Sequence, residues 1–260
     1  MKTIKTKKFK NGEVFLLSLS DGMLIETTDT FLPYYTKNII NSKCNKLKDN
    51  EPMDRGERWM IGVSVMSGCP IKCKICATSL LKQWRCLHSN EIIEQVLFIV
   101  NKNQQNPNES KEFKINYTRM GEPFLNIDNI KKAIKNIDRL FDNTHHYIST
   151  IGVRNSDYSW ITGNITLQIS LHAMNDKRRK DLIPYNNLMT IEELGQIRTD
   201  SNLKTTLNLT LVNENDFNIE ILKKYFDPKY FFIKLSPINK NIISIKNNLG
   251  ESVIKGRNLI

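Results

Sequence analysis

The sequence is poor in the features that would settle its class at a glance. It has no uninterrupted apolar run long enough to span a bilayer, which excludes a transmembrane helix bundle. Its first residues, Met1-Lys-Thr-Ile-Lys-Thr-Lys-Lys, are basic but lack the apolar core of a secretory signal. Cysteine is scarce, with 5 in 260 residues, too few for a disulfide framework. Acidic residues are outnumbered, 27 against 38 lysines and arginines, for a net charge of +11. Such a balance favours polyanionic partners, nucleic acid first, although a Lys-rich and Asn-rich composition explains it equally well. These absences lead to an expectation of a cytoplasmic protein with no membrane association. Length, 40% hydrophobic and 25% charged residues suit one large α/β domain with a buried core.

The cysteines that are present are concentrated. Cys69, Cys73 and Cys76 lie in Gly68-Cys-Pro-Ile-Lys-Cys-Lys-Ile-Cys, so one loop can turn three thiols toward a single centre. Iron–sulfur cubanes are held by thiolates, and three protein ligands leave one iron open to bind a further molecule. A zinc site completed by His88 is the alternative, since Cys3His sets are common structural zinc sites. Zinc loops usually carry paired C-x2-C knuckles, and a single C-x2-C occurs here.

Hydrophobic periodicity supplies the scaffold. Glu13–Ser20 and Met23–Thr28 flank Asp21-Gly22 and predict an N-terminal β-hairpin. Asp29–Arg58 shows no period and reads as a connection. Strands are expected at Trp59–Met66, Glu112–Thr118, His145–Thr150, Ile165–Leu171, Lys204–Val212 and Tyr230–Leu235. Helices are expected between them: one capped by Ser89, one along Ile127 to Phe141, and a short one opened by Asn175 and stopped by Pro184. A fourth is expected after the capping box Thr190-x-x-Glu193, and a last one after Asp216 with Ile219, Leu222 and Phe226 inward. Strand–helix alternation with short crossovers implies parallel strands. The expected architecture is α/β, a partial (β/α)6 TIM-like barrel over residues 59–239. It follows a hairpin and connecting segment over 1–58 and precedes a short tail over 240–260.

Parallel barrels carry their sites at the C-terminal ends of the strands. The cysteine loop follows the first expected strand, Arg119-Met-Gly-Glu-Pro the second, Ser149-Thr-Ile-Gly the third, Ser170-Leu-His the fourth and Pro237-Ile-Asn the sixth. Glu122 places a carboxylate suited to an ammonium group beside a glycine turn; a plain turn leading into the next helix is the simpler use. Ser149 and Ser170 offer hydroxyls for ribose or carboxylate contacts, and His172 and Asn239 offer hydrogen bonds. Each could equally be a strand-end group satisfied locally.

These runs, together with Met120-Gly-Glu-Pro-Phe-Leu-Asn126 and Ile169-Ser-Leu-His-Ala-Met-Asn-Asp176, resemble in order the motifs of the RlmN/Cfr family of radical S-adenosylmethionine (SAM) enzymes. The resemblance covers about Trp59 to Asn239 and implies a radical SAM barrel. It implies a [4Fe-4S] cluster on Cys69, Cys73 and Cys76, and SAM held by Gly121, Glu122, Ser149, Ser170, Leu171, His172 and Asn239. Asp21-Gly-Met-Leu-Ile-Glu26 resembles the region that carries the family's catalytic base, which makes Glu26 the catalytic candidate. The family methylates an adenine ring carbon of ribosomal or transfer RNA, so an RNA substrate is implied, and the reductive chemistry calls for an electron donor such as flavodoxin or ferredoxin. There are departures. Gly62 stands where the family carries a cysteine, no cysteine follows Cys86, and the helical RNA-binding extension ahead of the hairpin is missing. The expected activity is therefore SAM cleavage to a 5′-deoxyadenosyl radical and hydrogen abstraction from an unidentified substrate, with no methyl relay through cysteine. The alternatives are RNA adenine-carbon methylation, and a non-catalytic metal-bearing RNA-binding protein.

Overall fold

The computed structural model describes residues 1–32 and 54–250. Cys44 and most of the expected connection lie outside the described residues. The described chain forms two compact units, residues 1–67 with 85–147, and residues 68–84 with 148–260.

The first unit begins with three antiparallel strands, β1 (Lys2–Phe9), β2 (Gly12–Ser18) and β3 (Leu24–Leu32). The expected hairpin is β2 and β3, and its turn is longer than a two-residue loop. Leu19 accepts from Gly22 N at 3.1 Å, and Gly22 carries a positive φ of 81°. Strand β1 was not expected from the sequence. All of its residues are exposed, so it has no apolar face to set a period, and pairing with β2 makes it a strand. The expected connection was also wrong at its start, because β3 continues to Leu32. Asp29, fully buried there, accepts from Trp59 Nε1 at 2.7 Å and is paired with Arg55.

Strand β4 (Arg58–Val63) runs antiparallel to β3 and parallel to β7 (Glu112–Tyr117). Between them come the short pair β5 (Met66–Ser67) and β6 (Arg85–Cys86) and helix α1 (Ser89–Asn103). Helix α1 starts one residue earlier than expected. His88 is its N-cap, with its N–H donated to Glu91 at 2.8 Å. Its inward face includes Gln95, a polar residue that the apolar stripe could not show; the amide accepts from Ser64 N at 2.8 Å and donates to Ser64 O at 2.9 Å. Helix α2 (Ile127–Ile137) buries Ile130, Ile134 and Ile137 as expected, with Ala133 beside them, but it stops four residues short of Phe141, where the expected helix ended. Strand β8 (Thr144–Thr150) carries the chain from the first unit into the second.

The second unit contains β9 (Thr162–Gly163), β10 (Ile165–Ser170), α3 (Asp176–Leu182), α4 (Ile191–Gly195), β11 (Asp200–Ser201), β12 (Thr205–Thr210), α5 (Ile219–Tyr225), β13 (Phe231–Ser236) and α6 (Ile242–Lys246). Strands β10, β12 and β13 are parallel neighbours in that order, with Leu207 and Leu209 fully buried. The caps foreseen at Asn175 and Thr190 form: Asn175 accepts from Arg178 N at 3.0 Å, and Thr190 and Glu193 close a capping box. Helix α5 buries Leu222 and Phe226, but Ile219, at its first turn, is 46% exposed, against the expectation. The expected strands are thus found as β4, β7, β8, β10, β12 and β13, in a mixed α/β fold that is mostly parallel. The pairings do not by themselves make it a barrel. Among the described residues, no helix is long and apolar enough to cross a membrane.

Candidate active site

The cysteine loop belongs to the second unit. Gly68 opens it at φ 81°, with Trp84 Cβ 2.9 Å from where a side chain would begin, so backbone conformation and space both require glycine. Ile71 is buried and pins the loop, and Lys72 turns it with φ 60°. Cys69, Cys73 and Cys76 are each half-buried. Their backbone is tied down: Cys76 N donates to Cys73 O at 3.2 Å, and Ser79 Oγ donates to the same carbonyl at 2.7 Å. Lys74 N donates to Leu182 O at 2.9 Å. Three half-buried thiols on one anchored loop are the donor set that an iron–sulfur cubane takes. Among the described residues, no three His, Cys, Asp or Glu side chains gather closely enough to hold a metal ion. The fit therefore rests on donor chemistry and on the anchoring of the loop.

Part of that anchoring comes from residues that the sequence reading left in a tail. Asn241 Nδ2 donates to Ile75 O at 3.0 Å while its Oδ1 caps α6, and Asn247 Nδ2 donates to Lys74 O at 3.1 Å. The available signal was the Asn-x-x-Ser capping pattern at Asn241.

The other candidates of the second unit sit at strand ends. Ser149 and Ser170 are half-buried at the ends of β8 and β10. Leu171 is fully buried, and its N–H donates to Asn208 O at 2.9 Å. His172 takes φ 59°, and its Nδ1 accepts from Thr210 N at 3.2 Å, which places the ring proton on Nε2. Burial pushes the imidazole pKa down to about 4, with Arg179 adding to the effect, so the ring is neutral at pH 7. Asn239 is exposed, and its carbonyl accepts from Asn241 Nδ2 at 3.0 Å.

Arg179 was missed in the sequence. It is fully buried on α3 and donates to Leu171 O, Met189 O and Ile151 O at 3.0, 2.7 and 2.9 Å. Burial lowers its pKa to about 10. One cation thereby ties three backbone segments together beside Leu171 and His172. A basic residue on a short, charged helix gives no sign that it points inward.

Gly121, Glu122 and Glu26 belong to the first unit. Gly121 has φ 100°, and a side chain there would collide with Met66, so glycine is obligatory. Glu122 is 3% exposed, and its Oε1 accepts from Phe124 N at 3.1 Å, which caps the turn that leads to α2. The carboxylate is thus fixed in place. Asn126 follows, buried, and donates to Val65 O and Leu87 O, both at 2.8 Å. Glu26 lies on β3 and forms an ion pair with Arg119, just ahead of Gly121 in the chain. Gly62 is on β4 between them. A Cβ built there meets Thr28 Oγ1 and, at 2.9 Å, Arg119 Cδ.

No family profile matches the chain. Among curated proteins it is 37% identical over 193 residues to the probable dual-specificity RNA methyltransferase RlmN of Dictyoglomus turgidum, covering 71% of this chain and 47% of that protein. It is 30% identical over 246 residues to the protein of the same name from Dictyoglomus thermophilum, covering 92% and 62%. The dual-specificity RNA methyltransferase RlmN of Helicobacter hepaticus is 32% identical over 162 residues. The chain thus spans about half to three fifths of the length of the first two relatives. Its fold matches that of a radical SAM methyltransferase from Sphaerobacter thermophilus with a TM-score of 0.65 at 20% identity, over 95% of this chain and 73% of the other. On these likenesses, the chain is similar in sequence to proteins named RlmN, and its fold is that of a radical SAM methyltransferase.

Proposed function

We propose that this protein is a radical SAM enzyme in which Cys69, Cys73 and Cys76 hold a [4Fe-4S] cluster. The observation that carries the reading is the anchored loop with three half-buried cysteines in C-x3-C-x2-C spacing, in a chain whose relatives are named RlmN. When bound, the group supplies one-electron cleavage of SAM to methionine and a 5′-deoxyadenosyl radical for hydrogen abstraction, with flavodoxin or ferredoxin as the class of donor. The chain's own residues bind and orient. Glu122, held by its bond from Phe124 N, presents a carboxylate to the ammonium of SAM beside the bare backbone of Gly121. Ser149 and Ser170 offer hydroxyls to the nucleoside and the carboxylate. Leu171 gives an apolar wall, neutral His172 keeps an Nε2 proton to donate, and Asn239 offers an exposed amide.

RNA is the substrate class we favour, supported by the names of the relatives and by the net charge of +11. A methyl relay needs a thiolate that can reach the methyl group. Gly62 provides none where the resemblance places one, and Arg119 fills the adjoining space. Hydrogen abstraction without a cysteine relay is therefore the activity proposed. The test is anaerobic incubation of the reduced protein with methyl-labelled SAM and RNA, followed by digestion of both. The reading predicts 5′-deoxyadenosine and no labelled methylcysteine. Labelled methylcysteine together with a methylated adenosine would establish the family's relay instead, and no 5′-deoxyadenosine at all would refute the enzyme.

A further inference from the structure

Helix α6 has its polarity reversed. Ser244 is fully buried, whereas Ile242 and Ile245, three residues apart and so on one face, are 70% and 59% exposed. A helix that packs for stability alone turns its isoleucines inward. Polar contacts hold it in this orientation. Ser244 Oγ donates to Asn241 O at 3.0 Å, and Asn241 and Asn247 fasten the helix to Ile75 O and Lys74 O. None of these contacts gives the two isoleucines a reason to face solvent.

The apolar surface continues onto the cysteine loop. Helix α6 packs on the short 3-10 helix Ala77–Leu80 that follows Cys76, and Leu80 and Leu81 at its end are exposed as well. Trp84, which closes the loop beside Gly68, is 48% exposed. Apolar side chains gathered in this way inside a polar rim mark a place where another molecule sits. The rim is basic. Exposed Lys82 follows Leu81, exposed Lys246 follows Ile245, and Lys72 Nζ donates to Leu81 O. Asp181, the acid that meets this loop through Lys74, is shared with Arg178. All of these residues belong to the second unit.

We propose that Leu80, Leu81 and Trp84 of the cysteine loop, with Ile242 and Ile245 of α6, form the docking surface of an acidic one-electron carrier protein. Charge complementarity selects an acidic partner, steered in by the lysines and seated on the aliphatic centre. A second copy would bring the same lysines against this rim. Nucleic acid would meet one exposed ring and otherwise aliphatic groups, which offer its bases no stacking platform. The surface is built on the segment that bears Cys69, Cys73 and Cys76, where the proposed chemistry needs an electron. Each encounter oxidises the carrier by one electron and reduces the site by one, with no bond made or broken. A small contact that is quickly released is therefore sufficient. The inference rests on the enzyme reading above for its purpose, but the contact is measured without it.

The test is calorimetric titration of the reconstituted protein, at low and high salt, with a purified acidic flavodoxin and separately with an acidic ferredoxin. At least one carrier should bind, more weakly at high salt. Ile242→Glu together with Ile245→Glu should weaken binding by about tenfold or more, and Lys82→Glu together with Lys246→Glu should flatten the salt dependence. These four side chains are exposed, so thermal midpoints should match wild type. Binding of neither carrier, or binding that salt does not weaken, would overturn the proposal in wild type alone, with no variant needed. Undiminished binding by the isoleucine variant would also overturn it. Displacement of the carrier by an RNA oligonucleotide, or a dimer that the isoleucine variant dissociates, would give the face to that partner and overturn it too. SAM cleavage driven by dithionite separates the two readings. A protein that forms 5′-deoxyadenosine, but whose isoleucine variant binds the carrier as wild type does, loses this inference alone. One whose variant loses the carrier, but which forms no 5′-deoxyadenosine, loses the enzyme reading alone.

Discussion

Replacing Gly62 by cysteine would supply the thiol that the resemblance to the RlmN/Cfr family places there, and the structure predicts that the fold resists it. The backbone of Gly62 needs no special φ, so the effect is one of space. The new Cβ would meet Thr28 Oγ1 and stand 2.9 Å from Arg119 Cδ and 3.3 Å from its Cγ, before the sulfur is placed. Thr28 is 8% exposed and cannot simply swing away. Overpacking of this kind costs about 1–3 kcal/mol, and in a chain of this size each kcal/mol lowers Tm by roughly 2–4 °C. Gly62→Cys should therefore lose about 2–12 °C. Arg119→Ala alone should cost little, since a half-exposed ion pair contributes about 0–1 kcal/mol. The double variant should recover the part of the loss that Arg119 causes, the contact with Thr28 remaining, with a coupling of about 1 kcal/mol or more, as expected of side chains that share one space. Urea unfolding of the four proteins closes the cycle. If Gly62→Cys is as stable as wild type, or if the two changes add independently, Arg119 does not occupy the space beside Gly62.

Three further outcomes follow from named contacts. His172 has its pKa lowered to about 4 in the fold. The unfolded chain therefore binds a proton that the fold refuses, and stability is full above about pH 6.5 and falls as pH drops toward 4, by on the order of 2 kcal/mol for this half-buried ring. Urea midpoints against pH should show the slope in wild type and lose it in His172→Asn. Glu122→Gln should weaken SAM binding by about tenfold or more, through the loss of one charge-assisted bond, while the iron–sulfur absorbance is unchanged; unaltered affinity would leave Glu122 as a turn cap. Arg179→Met should destabilise by about 3 kcal/mol or more, because it orphans the carbonyls of Leu171, Met189 and Ile151, and a loss under about 1 kcal/mol would refute that role.

Much of this was legible in the residues, for identifiable reasons. Alternating β-branched and aromatic runs located β4, β7 and β10 within a few residues, and Asn175 and Thr190 announced their helices through side chains that cap. The cysteine loop was legible because its ligands are local in sequence. What was not legible depends on partners far along the chain. Lys2–Phe9 has no apolar face, and β2 alone makes it a strand. Gln95 enters the apolar face of α1 only because Ser64 offers it both a donor and an acceptor. Arg119 opened one of the strand-end clusters, but its ion pair with Glu26 and its close approach to Gly62 appear only in the fold. A glycine inside a strand was the available clue to that close approach.

The claim on which the account rests is that the loop from Gly68 to Cys76 holds an iron–sulfur cubane. The most direct measurement is the iron, sulfide and zinc content of anaerobically reconstituted protein, taken beside that of Cys73→Ala. About four irons and four sulfides per chain in wild type, with no stable cluster in Cys73→Ala, is the predicted result. Stoichiometric zinc with no retained iron would contradict it.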